Sequence, residues 1–212
     1  MSKPERLDVV NPATGITIAT RTRSDVHREG LWHQVFHCLV LRPESNSVVL
    51  QRRAASKAAF PLKLDLSVTG HLSTGESPAD GSREFEEELG VPLDPRNLIP
   101  VGVRLLADDN GEGRNRERVH LYFAMVDRPL HSYRPPVHEV DGLVEIDVQG
   151  LLEVLASPRN EASVRTTSAT APTVERSATV TQADLVEGSD GYWTVLAVMA
   201  QRALNGERLL AI

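Results

Sequence analysis

The feature that most constrains this chain is a stretch rich in carboxylates, GHLSTGESPADGSREFEEELGV at residues 70–91, which we call the acidic motif. It carries six Asp or Glu side chains within thirteen residues. Ser77 and Pro78 are typical of a helix start, and Gly90 followed by Pro92 is typical of a helix end. The motif therefore predicts a short helix that crowds like charges together.

One face of this predicted helix carries most of the charge. Glu84, Glu87 and Glu88 are three and four residues apart and share that face, whereas Phe85 and Leu89 form an apolar face. Like charges repel by roughly 0.2–0.5 kcal/mol per exposed pair, which a solvated helix tolerates. A divalent cation would turn this cost into a gain, because Mg²⁺ and Mn²⁺ prefer carboxylate oxygens. The glutamates alone leave both interpretations open.

The spacing of the whole motif resembles the Nudix box, G-x5-E-x7-R-E-U-x-E-E-x-G-U, in which U is a bulky apolar residue. Gly70 is followed after five residues by Glu76, and residues 83–91 match every fixed position. The one departure is that six residues, not seven, separate Glu76 from Arg83. The resemblance implies an α/β protein with a Nudix-type α/β/α sandwich around a mixed β-sheet.

The resemblance also implies a hydrolase that cleaves a diphosphate linkage, mostly in nucleoside diphosphates joined to another group. Glu84, Glu87 and Glu88 would bind Mg²⁺ or Mn²⁺, and the backbone carbonyl of Gly70 would add a ligand. The cations would neutralise the diphosphate oxygens and activate a water that attacks phosphorus in line. Glu84 or Glu87 would take the proton. Glu139 is a further candidate for this role. An equally supported alternative is that Glu139 is a solvated glutamate in a loop.

Three more residues of the motif have expected roles. Arg83 would act in the catalytic site by orienting a glutamate through a charged hydrogen bond, and Glu76 is its second expected partner. Gly90 would form the bend after the helix. The shorter connection between Glu76 and Arg83 leaves the spacing of the glutamates on the helix untouched.

The flanking sequence is similar to the branch of the family that contains isopentenyl-diphosphate isomerase. The isomerases place a cysteine two residues before a histidine, whereas this chain has Thr69 two residues before His71. They also carry two glutamates one residue apart, where our alignment places Arg116 and Arg118. Both losses indicate a hydrolase. A non-catalytic diphosphate-binding module and an isomerase are the alternatives.

Other residues in the flanks suggest substrate contacts. His27, His33 and His71 match histidines that belong to a metal site in the isomerases. Without the paired glutamates, we interpret them as retained architecture or, as for His71, as substrate contacts, and metal ligation is the alternative. Arg53 and Arg118 are the predicted diphosphate-binding arginines, because guanidinium groups match phosphate geometry.

The arginines have a second interpretation, which leaves the substrate open. Arg114, Arg116 and Arg118 alternate and would share one strand face, where charge can also guard a solvated sheet edge. Aromatic residues are only 4% of the chain and lie in apolar runs, so no platform for a nucleobase is evident. The leaving group is therefore not determined by the sequence.

Composition sets broad limits on the class of protein. The 212 residues, 41% hydrophobic and 25% charged, are typical of a globular protein with an adequate core. A net charge of −6 argues against general binding of nucleic-acid polymers or anionic membranes. With a single cysteine, Cys38, and no apolar leader or membrane span, we expect a cytoplasmic protein. Its partner would be a small-molecule diphosphate, and the resemblance allows a homodimer.

The sequence divides into four segments. Residues 1–30 predict an N-terminal β-hairpin and lead-in, and residues 31–157 the Nudix domain. Residues 158–190, rich in Ser, Thr and Ala, predict an irregular connection because large apolar residues are nearly absent. Residues 191–212 predict a C-terminal helix that packs on the domain, since apolar residues recur at helical spacing.

Overall fold

A computed structural model describes residues 4–110, 113–187 and 191–212, which form eleven strands and four α-helices. The strands are β1 (Arg6–Val10), β2 (Thr17–Thr22), β3 (His33–Arg42), β4 (Ser47–Arg53), β5 (Leu64–Asp65), β6 (Val68–His71), β7 (Leu98–Asn110), β8 (Gly113–Met125), β9 (Val140–Asp147), β10 (Glu161–Ser168) and β11 (Ala171–Thr181). The helices are α1 (Arg23–Glu29), α2 (Glu84–Leu89), α3 (Val148–Ala156) and α4 (Tyr192–Leu204). No α-helix in these ranges is long and apolar enough to span a bilayer.

The strands join in one mixed sheet with β3 at its centre. β3 runs parallel to β8 and antiparallel to β1, β4 and β6. The main path through the sheet is β11-β10-β9-β4-β3-β1-β2, β6 and β8 pair with β3, and β7 pairs with β8. β6 carries the first glycine of the acidic motif, so β3 links the motif to the wall made by β7 and β8.

Helices cover both faces of the sheet. Alternate side chains of β3 point to two separate hydrophobic clusters, with Leu39 and Leu41 in one and Phe36 and Val40 in the other. α3 and α4 pack on the first cluster, and α2 packs on the second through Phe85. The predicted α/β/α sandwich around a mixed sheet is therefore confirmed.

The acidic motif forms a shorter helix than its pattern predicts. A 3₁₀ turn at Pro78–Arg83 leads into α2, which has six residues. α2 ends at Gly90, whose φ of 66° is left-handed and whose position would place an added Cβ 1.9 Å from the carbonyl oxygen of Arg134. Only a residue without a side chain fits this bend.

The prediction of an irregular connection over residues 158–190 is wrong. β10 and β11 form an antiparallel hairpin there, and β10 pairs with β9 at the end of the sheet. The segment has few large apolar residues because most of it is exposed, and Val164, Thr167, Val180 and Leu185 supply the buried side chains of its described part. β-Branched Thr and Val residues favour strands, and this signal outweighs the low hydrophobicity. Residues 188–190 of the predicted connection lie outside the described residues.

Candidate active site

Arg83 is the centre of the hydrogen-bond network in the acidic motif. Its Nε donates to Glu76 Oε1 at 2.7 Å, and its Nη1 lies 2.7 Å from Glu84 Oε1 and 2.9 Å from Glu87 Oε1. Nη2 donates to the carbonyl oxygen of His71 at 3.0 Å. One guanidinium thus joins three carboxylates and connects α2 to β6.

The short connection does not separate Glu76 from Arg83. Glu76 Oε2 also accepts the N–H of Ser73 at 2.7 Å. The hydrogen bond from Arg83 is the main cause that lowers the pKa of Glu76, so this carboxylate stays ionised. Ser77 donates its N–H to Asp80 at 2.8 Å, which closes a tight turn before α2. The expected pairing of Arg83 with Glu76 is present despite the missing residue.

Glu84 lies directly against Gly70. A Cβ at Gly70 would come 2.2 Å from Glu84 Cδ, so a larger residue would displace the carboxylate. Burial is the main cause that raises the pKa of Glu84 to about 7, with Arg83 opposing and Glu87 adding to the shift. The structure therefore brings together two of the residues expected to hold a cation.

Glu88 is the most buried carboxylate of the motif, with 5% of its surface exposed. Its Oε2 accepts from Gln51 Nε2 at 2.9 Å and from the N–H of Thr69 at 2.8 Å. Burial raises the pKa of Glu88 to about 8, and the nearby Glu84 adds to the shift. Glu87, by contrast, has a side chain that is 56% exposed.

The three glutamates offer oxygen ligands suited to a hard divalent cation, but among the described residues their oxygens do not converge closely enough to hold one ion without movement of a side chain. Glu84 and Glu88 are buried carboxylates whose ionised forms need positive charge, and Glu87 is held beside Glu84 by Arg83. Carboxylate oxygens are the ligands that Mg²⁺ and Mn²⁺ prefer, and a cation beside them favours their ionised forms. Gly70 leaves the space that this arrangement requires.

A cavity of about 440 Å³ opens beside the motif, a size typical of small-molecule sites. Its near end is formed by the acidic motif and its far end by β7 and the start of α4. Residues at the near end include Gly70, His71 and Glu88, and residues at the far end include Arg104, Tyr192 and Trp193. His71 and Gly70, both expected site residues, thus lie at the boundary between motif and cavity.

Two cations near the motif line the cavity and are held by acidic partners. Arg53 Nη1 donates to Asp65 Oδ2 at 2.9 Å, and its Nε donates to the carbonyl oxygen of Ala59 at 3.0 Å. Lys57 forms an ion pair with Glu139. Glu139 pairs with Lys57 and does not line the cavity, and neither do Glu84 and Glu87, so an acid role for Glu139 stays a prediction.

The prediction that Arg118 faces the substrate is wrong. Its Nε donates to the carbonyl oxygen of Pro12 at 3.2 Å, and its Nη1 lies 3.0 Å from His120 Nε2. These contacts are on the face of β8 that points away from the cavity. Of the three alternating arginines, Arg114 lines the cavity, whereas Arg116 and Arg118 do not.

The cavity face of β8 carries Asn115 and Glu117 instead. Glu117 lies opposite His33 in the parallel register of β3 and β8. Burial raises the pKa of Glu117 above its usual value, and a hydrogen bond from Asn115 opposes the shift. Arg116 and Arg118, which our alignment matched to the isomerase glutamates, are therefore not the residues of β8 that line the cavity.

Three histidines from separate elements meet at the cavity wall. His27 of α1, His33 of β3 and His71 of β6 have ligand atoms that all lie within 4.8 Å of one another. His33 Nδ1 lies 3.0 Å from the carbonyl oxygen of Leu31, which leaves Nε2 buried with no hydrogen-bond partner in the described residues. Burial lowers the pKa of His33 to about 4, so the ring is neutral, as a metal ligand must be. This geometry fits a transition-metal ion.

Comparison with known proteins decides the family. A family model described as the NUDIX domain matches residues 31–166, well over half of the chain. The chain belongs to the Nudix family. The match covers the acidic motif, β3 to β9 and the start of β10, so Nudix sequence features extend beyond residue 157.

Curated Nudix relatives include both hydrolases and isomerases. An uncharacterised Nudix hydrolase of Clostridium acetobutylicum is 36% identical over 140 residues, 65% of this chain and 68% of that protein. Nudix hydrolase 3 of Arabidopsis thaliana is 31% identical over 129 residues, 59% of this chain and 17% of that protein. The isopentenyl-diphosphate Δ-isomerase of Kocuria rhizophila is 39% identical over 105 residues, 47% of this chain and 54% of that enzyme. The chain thus spans well under two thirds of the last two proteins.

The Nudix fold is also found in a solved structure. The DR0079 protein from Deinococcus radiodurans matches with a TM-score of 0.53 and 23% identity, over 72% of this chain and 89% of that protein. This likeness shows the fold alone. The family match and the hydrolase-named relatives place the chain in the Nudix hydrolase family.

Proposed function

We propose that this protein is a divalent-cation-dependent hydrolase that cleaves a diphosphate linkage in a small molecule. The observation that carries the proposal is the acidic motif beside the cavity. Gly70 and Glu88 line the cavity, Glu84 lies against Gly70, and Arg83 holds Glu84 and Glu87 together. This arrangement supports binding of Mg²⁺ or Mn²⁺ beside a space large enough for a substrate.

The protein's own residues supply binding, orientation and proton transfer. Glu84, Glu87 and Glu88 would hold Mg²⁺ or Mn²⁺, which when bound supplies the positive charge that neutralises diphosphate oxygens and acidifies a water molecule. Burial raises the pKa of Glu84 to about 7 without a cation, and a bound cation would favour its ionised form. Glu84 or Glu87 would take the proton of the attacking water. Arg83 keeps Glu84 and Glu87 in fixed positions throughout.

Two cationic side chains at the near end of the cavity would bind the diphosphate. Arg53 is oriented by Asp65, and a fixed guanidinium presents its remaining N–H groups to phosphate oxygens with little loss of entropy. Lys57 adds a flexible ammonium on the same side. The neutral His71 donates or accepts one hydrogen bond at the boundary with the motif, because burial lowers its pKa.

Isomerisation of a prenyl diphosphate is the second candidate, and one observation favours it. The histidine cluster lies beside Glu117, so the metal-binding side of an isomerase site has a counterpart here. Thr69 stands where the isomerases have a cysteine, and a threonine hydroxyl lacks the acidity of a thiol. We therefore favour hydrolysis and infer that the histidine cluster holds a second cation. Absence of product from isopentenyl diphosphate would remove the isomerase candidate.

The test of hydrolysis compares two glutamates of α2. Diphosphate compounds of several classes are incubated with the protein and Mg²⁺ or Mn²⁺, and released phosphates are separated by ion-exchange chromatography. Glu87→Gln is expected to lose roughly 100-fold or more in kcat/KM. The matched control is Glu86→Gln, because Glu86 is exposed on the same helix and takes no part in the Arg83 network. Equal activity of the two variants would contradict the assignment.

A further inference from the structure

A buried glutamine holds one of the three carboxylates that the proposed cleavage uses. Gln51 of β4 has 1% of its surface exposed, and its Nε2 donates to Glu88 Oε2 at 2.9 Å. The N–H of Thr69 donates to the same oxygen at 2.8 Å. Glu88 Oε1 has no hydrogen-bond partner among the described residues. Both donors therefore engage one oxygen and leave the other available to a ligand.

The alternation of side chains along β4 places Gln51 between the hydrophobic core and the cavity. Val49, Gln51 and Arg53 project from the same face of the strand. Val49 belongs to the cluster on which α2 packs, whereas Arg53 lines the cavity. Glu88 of α2 also lines the cavity, but Gln51 is not among the described residues that do so. Gln51 would therefore act on a bound ligand only through Glu88.

The donor that holds Glu88 differs in charge from the donor that holds the other two glutamates. Glu84 and Glu87 are paired with the guanidinium of Arg83, whereas the side-chain amide of Gln51 is neutral. A guanidinium offsets the charge of a carboxylate and competes with a metal ion for it. An amide orients the carboxylate and leaves its charge to the metal. Glu88 is thus held in place by donors that carry no charge.

We propose that Gln51 is a positioning residue for the divalent cation, because it fixes Glu88 with one oxygen free for the metal. This inference rests on the proposed hydrolysis, in which Glu88 is one of three ligands. The three carboxylates converge on one ion only when a side chain moves, so a ligand that is already oriented lowers the cost of binding. Residues that orient metal ligands typically change metal affinity by about 10- to 100-fold.

The experiment measures binding of Mg²⁺ by isothermal titration calorimetry, without any substrate. Mg²⁺ prefers oxygen ligands, so the histidine cluster contributes little to the signal. Gln51→Met removes the donor but keeps an unbranched side chain of similar length, and it should weaken Mg²⁺ binding by about 10- to 100-fold. Gln51→Asn is a second variant that keeps the amide. Its side chain is one methylene shorter, so it should also bind Mg²⁺ more weakly than the unmodified protein.

The matched control is the same change at a glutamine of the neighbouring strand. Gln34 of β3 is half-buried, and its Oε1 lies 2.8 Å from His120 Nε2, away from the cavity. Gln34→Met should leave Mg²⁺ affinity unchanged within about twofold. With a hydrolysed substrate, Gln51→Met should raise the Mg²⁺ concentration that gives half-maximal activity. The substrate KM at saturating Mg²⁺ should stay within about twofold, which general damage to the site would not allow.

Failure of the inference is distinguishable from failure of the proposed function. Mg²⁺ binding that depends on Gln51, without turnover of any diphosphate, would contradict hydrolysis and still support the positioning role. The positioning role is overturned if both Gln51 variants bind Mg²⁺ as tightly as the unmodified protein. It is also overturned if Gln34→Met weakens binding as much as Gln51→Met, because the loss would then reflect general damage to the sheet. An unmodified protein that binds no Mg²⁺ would overturn both proposals.

Discussion

The two ends of the cavity are built from the chain in different ways. The near end comes from one contiguous stretch, in which Arg83 joins Glu76, Glu84 and Glu87. The far end and the adjoining wall combine β3, β7, β8 and α4, which are distant in sequence. Arg104 of β7 and Tyr192 of α4, for example, are in contact although they are far apart in the sequence.

This difference determines how each end responds to a change of one residue. The near end tolerates a missing residue, because Arg83 and Glu76 still form their hydrogen bonds across a compact 3₁₀ turn. A shift of one residue along β8 would instead exchange Glu117 for Arg116 or Arg118 at the cavity wall. Side chains of a strand alternate between faces, so its register has no such tolerance.

The largest expected effect breaks the near end at its centre. Arg83→Gln removes the guanidinium that Glu76, Glu84 and Glu87 share. Because the carboxylates then repel one another without a counter-charge, their side chains move apart. We expect kcat/KM to fall by about 100-fold or more, together with weaker Mg²⁺ binding. Steady-state kinetics at several Mg²⁺ concentrations measure both effects.

The control for this variant is another arginine close in sequence. Arg96→Gln removes a largely exposed guanidinium that pairs with Asp94 after α2. An exposed pair of this kind contributes little to stability, so activity should be unchanged within about twofold. Comparable losses in both variants would show that the network around Arg83 has no particular role.

Sequence patterns predicted the near end well because its geometry is local. The spacing of Glu84, Glu87 and Glu88 and the bend at Gly90 follow from a helix and its end. The pairing of Arg83 with Glu76 was implied by the resemblance to the Nudix box. The long-range parts were missed, since pairing of β10 with β9 depends on a partner that lies outside the segment.

A usable signal for the register of β8 was nevertheless present. Val119, Leu121 and Phe123 alternate as buried apolar residues, and extending their period backwards places Glu117 and Asn115 on the same face. Arg116 and Arg118, which alternate with them, then point away from the cavity, although Arg114 lines it. Extending the pattern from the apolar end of the strand would have predicted that Glu117 faces the cavity.

The second prediction concerns metal binding at the histidine cluster. Co²⁺ titrated into the protein should give a visible absorption band of a nitrogen-ligated site, and His27→Gln should weaken this binding by about 10- to 100-fold. His131→Gln is the control, because His131 is exposed and pairs with Glu175 outside the cavity. The inference of a second cation fails if the band is absent or if His27→Gln leaves it unchanged.

The third prediction is a pH dependence at the near end. The pKa values of Glu84 and Glu88 are raised to about 7 and about 8, mainly by burial, so a cation must displace protons from both below these values. Mg²⁺ affinity should rise with pH from 6 to 8, by up to about tenfold per pH unit for each proton displaced. Isothermal titration calorimetry in buffers of different ionisation enthalpy counts those protons.

The same pKa shifts have an opposite effect on stability without a cation. A carboxylate with a raised pKa binds more protons in the folded state, so the free energy of unfolding falls as pH rises from about 4.5 towards 8. Urea unfolding in EDTA should show this slope, and Glu88→Gln should reduce it. A slope that Glu88→Gln leaves unaltered would contradict the buried, protonated state of Glu88.

The smallest expected effect separates two arginines that look equivalent in sequence. Arg53 lines the cavity with Asp65 behind it, whereas Arg118 is bound to the backbone of Pro12 on the outer face of β8. Arg53→Gln should raise KM by about tenfold or more, since a charged hydrogen bond to phosphate is lost. Arg118→Gln should change kcat/KM by less than about twofold, because a side chain on the outer face touches no substrate. A larger loss in Arg118→Gln than in Arg53→Gln would mean that β8 presents its other face to the substrate.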